Sequence, residues 1–141
     1  MSTWVALKQR GFTLVELLVV LVLAGLLATL AVPSWSAHLA RARRADGVAA
    51  LTRLQLAQAQ YQAQHGLYAQ QLEMLVGASA AQSAEGYYQI VLLDVAADGY
   101  RAAARARSDG PQARDSECHE LQVIVSGGFA EFAPSRRCWN L

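Results

Sequence analysis

The chain has 141 residues, of which 54% are hydrophobic and 16% charged, with a formal net charge of +1. That length holds one domain of ordinary size plus an appendage, and it excludes a multidomain enzyme. The near-neutral balance excludes both a polybasic nucleic-acid tail and a charge-rich disordered chain as descriptions of the whole.

The amino-terminal region departs from that average. Residues 12–32 read FTLVELLVVLVLAGLLATLAV, with Glu16 as the single charge. As a helix this run is about 31 Å long, at about 1.5 Å per residue, and matches the hydrocarbon thickness of a bilayer. A cleaved secretory signal has a shorter apolar core, about 7–15 residues, and ends at a small-x-small site that Ala24 and Ala28 imitate only weakly. Lys8 and Arg10 precede the run while Arg41, Arg43 and Arg44 follow it, so charge counting leaves the orientation open. The cysteines resolve it. Cys118 and Cys138 have neither CxxC spacing nor histidines spaced for zinc, and they read as a disulfide in an oxidising compartment. Such a bridge stabilises a small domain by about 3 kcal/mol.

Glu16 needs a partner, because a carboxylate inside an apolar span costs at least about 2.5–3.5 kcal/mol. No basic residue lies between Glu16 and His38. Cleavage after Gly11 would create an α-amino group on Phe12, four residues from Glu16, able to answer the carboxylate within one chain or between neighbouring chains.

The string Arg10-Gly11-Phe12-Thr13-Leu14-Val15-Glu16, then an apolar helix, then Val32-Pro33-Ser34, resembles the class III leader of type IV pilins and their relatives. The resemblance implies that a prepilin peptidase cuts after Gly11, that Phe12 is then N-methylated, and that Glu16 pairs with the amine of an adjacent subunit during assembly. It places Gly25 and Pro33 at the helix-weakening positions of the family, and both residue types do lower helix stability. The implied partners are other pilin subunits in a homo- or hetero-polymer, the peptidase, the inner-membrane assembly machinery, and membrane lipid before assembly. The implied location is the inner membrane for a single-pass precursor with its head in the periplasm, then an extracellular pilus. Removing residues 1–11 takes away Lys8 and Arg10, so the net charge of +1 becomes −1.

Residues 34–65 are rich in Ala, Leu, Gln and Arg and continue the helix to a stop at Gly66. Trp35, Leu39, Ala42, Ala49, Ala50, Ala57 and Tyr61 fall within about 120° of one another and form a shallow stripe for packing under a sheet. Residues 66–85 read as a connector, with Leu67, Leu72 and Leu75 permitting a short helical turn. YYQIVLLD (87–94) and GYRAAARAR (99–107) form one hairpin, and ELQVIVS (120–126) with GFAEFA (128–133) form a second about Gly127-Gly128. Strand alternation puts Tyr100, Ala102, Ala104 and Ala106 on one face and Arg101, Arg105 and Arg107 on the other.

The GLY motif after the helix, the YY and GY strand openings, and the stretch from Asp115-Ser116-Glu117-Cys118 to Cys138-Trp139 are similar to PilE-type minor pilins. The resemblance implies an α+β pilin fold: a long N-terminal α-helix whose C-terminal half packs on a four-stranded antiparallel sheet. Its parts are a leader (1–11), a membrane-spanning and filament-core helix (12–33) and a periplasmic head (34–141). Within the head lie the helix half 34–65, the connector 66–85 and a sheet with the disulfide-bounded region (86–141).

No enzymatic constellation assembles, since His38, His65 and His119 are isolated and no HExxH, GxSxG or phosphate loop occurs. No cofactor or metal is implied, because Asp109, Asp115 and Glu117 are spread too thinly for calcium. Arg101, Arg105 and Arg107, with Arg114, Arg136 and Arg137, form a candidate DNA or anion patch. Without aromatic interleaving they read first as a solvated face. The function expected is therefore a minor pilin serving motility, adhesion or DNA uptake, with a DNA-binding competence pilin and a type II secretion pseudopilin as alternatives.

Overall fold

The computed structural model describes residues 12–75 and 81–141, leaving aside the side chains of residues 31–34. The element order is helix α1 (Leu14–His65), strands β1 (Tyr88–Ala96), β2 (Gly99–Ala106), β3 (Glu120–Ser126) and β4 (Phe129–Ala133), with short 3₁₀ turns at Leu72–Met74, Pro111–Arg114 and Arg136–Trp139. The chain divides into two compact units, Met1–Ala37 and His38–Leu141.

The first unit contains the apolar part of α1. Thr13 stands immediately before the helix and its Oγ1 accepts a hydrogen bond from the Glu16 amide at 3.2 Å, satisfying one of the amide groups that a helix start leaves without a partner. From Leu14 to Leu30 every side chain is exposed. This helix is long and apolar enough to cross a membrane. The backbone stays helical through Gly25 and Pro33.

The second unit is a helix on a sheet. The four strands run in the order β1-β2-β3-β4, all antiparallel. Leu51, Leu54, Ala50 and Ala57 of α1 close over Tyr88, Ile90, Tyr100, Ala102, Ala104, Leu121 and Val123 of the sheet. Each fully buried leucine contributes about 2 kcal/mol. Gly47 marks the closest approach: a Cβ there would stand 3.0 Å from the Tyr88 ring and 3.1 Å from Leu121. The helix ends at Gly66, whose φ of +76° turns the chain out while its amide still bonds Gln62 O at 2.8 Å. Buried Gln58 then holds the start of the connector by a paired bond, donating to Ala69 O and accepting from Ala69 N, each at 2.9 Å.

The four expected strands form, and the alanine run of β2 is a strand. Gly127 and Gly128 both take positive φ, as the tight turn between β3 and β4 requires. The expected stripe on α1 needs correction. Ala50 and Ala57 are buried and Tyr61 packs against the core, but Trp35 is 66% exposed and Ala42 and Ala49 also face outward. The buried face is centred instead on Gly47, Leu51, Leu54 and Gln58, because packing selects the large side chains and the close approach.

Candidate functional site

At the amino-terminal end, Gly11 lies outside the described residues and Phe12 is 73% exposed just ahead of the helix. Glu16 sits in the first turn, the third helical residue after the Thr13 cap, and is exposed. Its position is electrostatically favourable before any partner arrives, since the amide ends of a helix carry partial positive charge. A Cβ on Gly25 would meet no neighbour within 4 Å among the described residues. The side chain of Pro33 lies outside the described set, but proline has no N–H to donate to the preceding turn.

At the carboxyl end, Cys118 and Cys138 form the expected disulfide, with Cα atoms 5.4 Å apart and both sulfurs buried. Trp139 is buried beside it, packs at a tilt against Phe132 with ring centroids 4.5 Å apart, and donates from Nε1 to Ala133 O at 2.8 Å. The bridge thus anchors the final 3₁₀ turn against the end of β3 and β4.

The three candidate arginines occupy the outer side of β2 and its exit. Arg101 and Arg105 point outward, and Arg107 follows the last residue of the strand. Each faces a carboxylate. Arg105 is paired with Glu120 at 2.6 Å, where strand register places the two opposite one another. Arg107 binds Asp109 at 2.7 Å, and Arg101 stands 3.9 Å from Asp94. Burial alone would push the Glu120 carboxyl up, but hydrogen bonds from Arg105 and Gln122 outweigh it and hold the group below the usual carboxylate range. The hydrogen bond from Arg107 likewise lowers Asp109. Between the arginines, Ala103 is fully buried on the outer face, in register with Val91 and Gln122.

The residues beneath this surface contain a device that sequence reasoning missed. Arg44, one of the three arginines that follow the apolar run, is buried rather than solvated. It grips Asp115 bidentately, Nε to Oδ2 at 2.6 Å and Nη2 to Oδ1 at 2.7 Å. Gln112 donates to the same carboxylate at 2.7 Å and to Ala40 O at 3.2 Å, tying the Pro111–Arg114 turn to the helix. The hydrogen bonds that Arg44 donates to the Asp115 carboxylate raise its pKa above the ordinary value. Desolvation pushes the neighbouring Tyr88 hydroxyl up to about 12. No local signal marks this pair, since 71 residues separate its members. His65 and His119 are exposed, each with Nδ1 near a backbone carbonyl oxygen.

A long helix with an unpartnered apolar half, a four-stranded antiparallel sheet on its second half and a C-terminal disulfide together define a pilin-like subunit. The chain belongs to the type IV pilin family: the family described as "Type IV minor pilin ComP, DNA uptake sequence receptor" matches residues 33–122, and the prokaryotic N-terminal methylation motif matches residues 7–32. It is 30% identical over 102 residues to the type IV major pilin protein PilE1 of Neisseria gonorrhoeae, covering 72% of this chain and 46% of that protein. It is 45% identical over 40 residues to the type IV major fimbrial protein FimA of Dichelobacter nodosus, covering 28% of this chain and 25% of that protein. The matched stretch thus spans less than half the length of these relatives.

Proposed function

We propose that this chain is a type IV minor pilin, made as a membrane-anchored precursor with its head in the periplasm and then built into a pilus, and that its role is structural rather than enzymatic. In this reading residues 1–11 are the leader, 12–33 the spanning and filament-core helix, and 34–141 the head. The peptidase cuts between Gly11 and Phe12, Phe12 is methylated, and Glu16 pairs with the Phe12 amine of a neighbouring subunit. Gly25 and Pro33 let the helix bend or open as it leaves lipid. One observation carries the reading most: the apolar side chains of Leu14–Leu30 are all exposed, directly behind a Gly-Phe-x-x-x-Glu start. Such a surface is stable only in lipid or against copies of the same helix.

Intact mass of the protein recovered with sheared filaments tests it. The expected chain begins at Phe12, carries one added methyl group and gains two hydrogens on reduction. A chain that begins at Met1 and stays in the membrane fraction, with peptidase present, would overturn the reading. Within the same experiment Glu16→Ala should insert normally and lose most of its incorporation, by about tenfold or more, since an uncompensated amine in lipid costs several kcal/mol.

A second reading is favoured by the matched family, which is described as a DNA uptake sequence receptor. The head would then bind duplex DNA as part of a pilus that serves uptake. The outer arginines support it by exposure and oppose it by pairing, since Arg101, Arg105 and Arg107 each already face a carboxylate. A salt-sensitive affinity that drops when all three become Ala would establish the stripe as the contact, because each phosphate contact adds about one counterion to the salt slope. Unchanged binding in that variant would remove the stripe from the reading.

A further inference from the structure

The outer face of the sheet carries an open pocket of about 140 Å³ at the end where β1 turns into β2, lined by Asp94, Asp98, Gly99, Arg101, Ile124 and Ser126 among others. Local features of the chain make it. The β1–β2 pairing skips Leu93, so the residue opposite Arg101 on the outer face is Asp94 and not a leucine. Gly99 lies between Ala96 and Ser126 in register, and a Cβ there would stand 2.0 Å from Val125 O, so the floor of the pocket has no side chain at its centre. Gly127 N donates to Asp98 O at 3.0 Å and fastens the two hairpin turns into one rim. On the next strand Phe129 is in register with Ser126 and Glu131 with Ile124, so both stand on this face, and Phe129 is 81% exposed. The polar groups are also available. Arg101 and Asp94 are 3.9 Å apart, beyond hydrogen-bonding distance, whereas Arg105 and Arg107 grip their carboxylates at 2.6 and 2.7 Å.

We infer that this pocket binds one ring of a neutral carbohydrate. Charge is the first argument. Asp94, Asp98 and Glu131 surround Arg101, and three carboxylates against one guanidinium repel a phosphate or any other anion. A cationic group entering the same space meets Arg101 between the acids. A neutral polyol avoids both penalties and uses both signs, since its hydroxyl groups donate to the carboxylates and accept from the guanidinium, and each such charge-assisted bond is stronger than one between neutral groups. Shape is the second argument. The volume holds a handful of waters or one sugar ring that displaces them, and it is too small for a drug-sized ligand. Phe129 is the third. An aromatic ring left exposed at the rim offers its electron-rich face to the C–H edges of a sugar while the hydroxyl groups turn to the polar wall. Every residue of the site belongs to the sheet of the head, so the inference does not depend on the anchoring of the apolar helix.

Saturation-transfer NMR of the full-length chain in phosphatidylcholine vesicles tests the inference. The probes are the methyl glycosides of glucose, galactose, mannose and N-acetylglucosamine, with empty vesicles as the blank. At least one glycoside should receive saturation from the protein, with a Kd of about 1–10 mM, as the small contact of a single ring permits. That Kd should stay the same up to about 0.5 M salt, because the ligand carries no charge to screen. Asp94→Ala should weaken binding by about fivefold or more and Phe129→Ala by about threefold. Ser126→Trp, which fills the pocket from its floor, should abolish it. Arg105→Ala, on the same face but outside the pocket, should leave the Kd within about twofold. The near-ultraviolet spectrum and the mass shift on reduction report that each variant head is folded and bridged, and all four substitutions fall on exposed side chains. No saturation above the blank from any of the four glycosides at about 50 mM would overturn the site. So would binding that none of the three pocket variants weakens, which puts the sugar elsewhere. Displacement of the bound glycoside by an equal concentration of inorganic phosphate or of trilysine would also overturn it, by making the pocket an ionic site.

Discussion

One helix passes through two settings, and the difference between them separates what the chain does for itself from what it needs from others. In the first unit the apolar residues from Leu14 to Leu30 are exposed without exception. In the second, Leu51 and Leu54 are 0% and 1% exposed under the sheet. Leucine has the same transfer free energy in both places, so the first unit must find its apolar surroundings outside the chain. The head is a folding unit, whereas the amino-terminal half is an adhesive surface that happens to be helical.

The largest test of this contrast lies in the buried polar device of the head. Asp115→Asn should destabilise the head by about 3–5 kcal/mol, because it leaves the Arg44 guanidinium buried without its counter-charge. Denaturant unfolding in detergent, followed by the near-ultraviolet signal of Trp139, measures it. The double variant Arg44→Met, Asp115→Leu should recover at least half of that loss. If the double variant is as unstable as the single one, the pair is required for packing and not merely compensated.

A matched pair of leucine truncations comes next. Leu54→Ala should cost about 2–5 kcal/mol by leaving a cavity under the sheet. Leu21→Ala should change head stability by less than about 0.5 kcal/mol, since its side chain is exposed. A comparable loss from Leu21→Ala would mean that the two parts of the helix are not independent.

Alkaline pH tests two buried tyrosines of the core. Desolvation pushes both Tyr88 and Tyr100 up to about 12 from an ordinary 10.0. Their contribution is fully present below pH 10, where both states are protonated, and is lost as pH rises from 10 to 12, because the unfolded tyrosines ionise first. Each is worth on the order of 2–3 kcal/mol across that window. Tyr100→Phe should flatten the loss by about half, and an unchanged profile would place the weak point elsewhere.

The contrast also explains which features were legible in the sequence. Several local signals could be read: the uninterrupted apolar run, the Gly66 stop, the Gly127-Gly128 turn and the outward-facing Arg101 and Arg105 of β2. Such signals depend on residues a few positions apart. The stripe expected on α1 fails at Trp35, Ala42 and Ala49 because alanine gives the helical pattern little amplitude, and Leu51, Leu54 and Gln58 are marked as the buried face only by what they touch. The burial of Arg44 had no local sign, its partner being distant in the chain. The arginines of β2 were placed on the correct face, but their neutralisation follows from pairing across strands and from the turn at Asp109. Side-chain direction is a local property, and charge balance is not.

The smallest expected effect tests that last point. Glu120 lies opposite Arg105, and its carboxyl is held below the ordinary 4.5 because hydrogen bonds from Arg105 and Gln122 outweigh the opposing effect of burial. The stabilisation is therefore present above the unfolded carboxyl range and fades as pH falls through the lower folded value. Arg105 is half exposed, so solvent screens the pair and its contribution is about 0.5 kcal/mol. Glu120→Gln should cost the head no more than that, with the loss shrinking at high salt. The same change leaves Arg105 without its counter-charge. If the outer face of β2 meets DNA phosphates, duplex affinity at low salt should rise by about three- to tenfold, through removal of a nearby repelling charge. An affinity that stays fixed while stability shifts would identify Arg105 as a partner within the sheet, leaving any DNA contact to cations that the fold has not already neutralised.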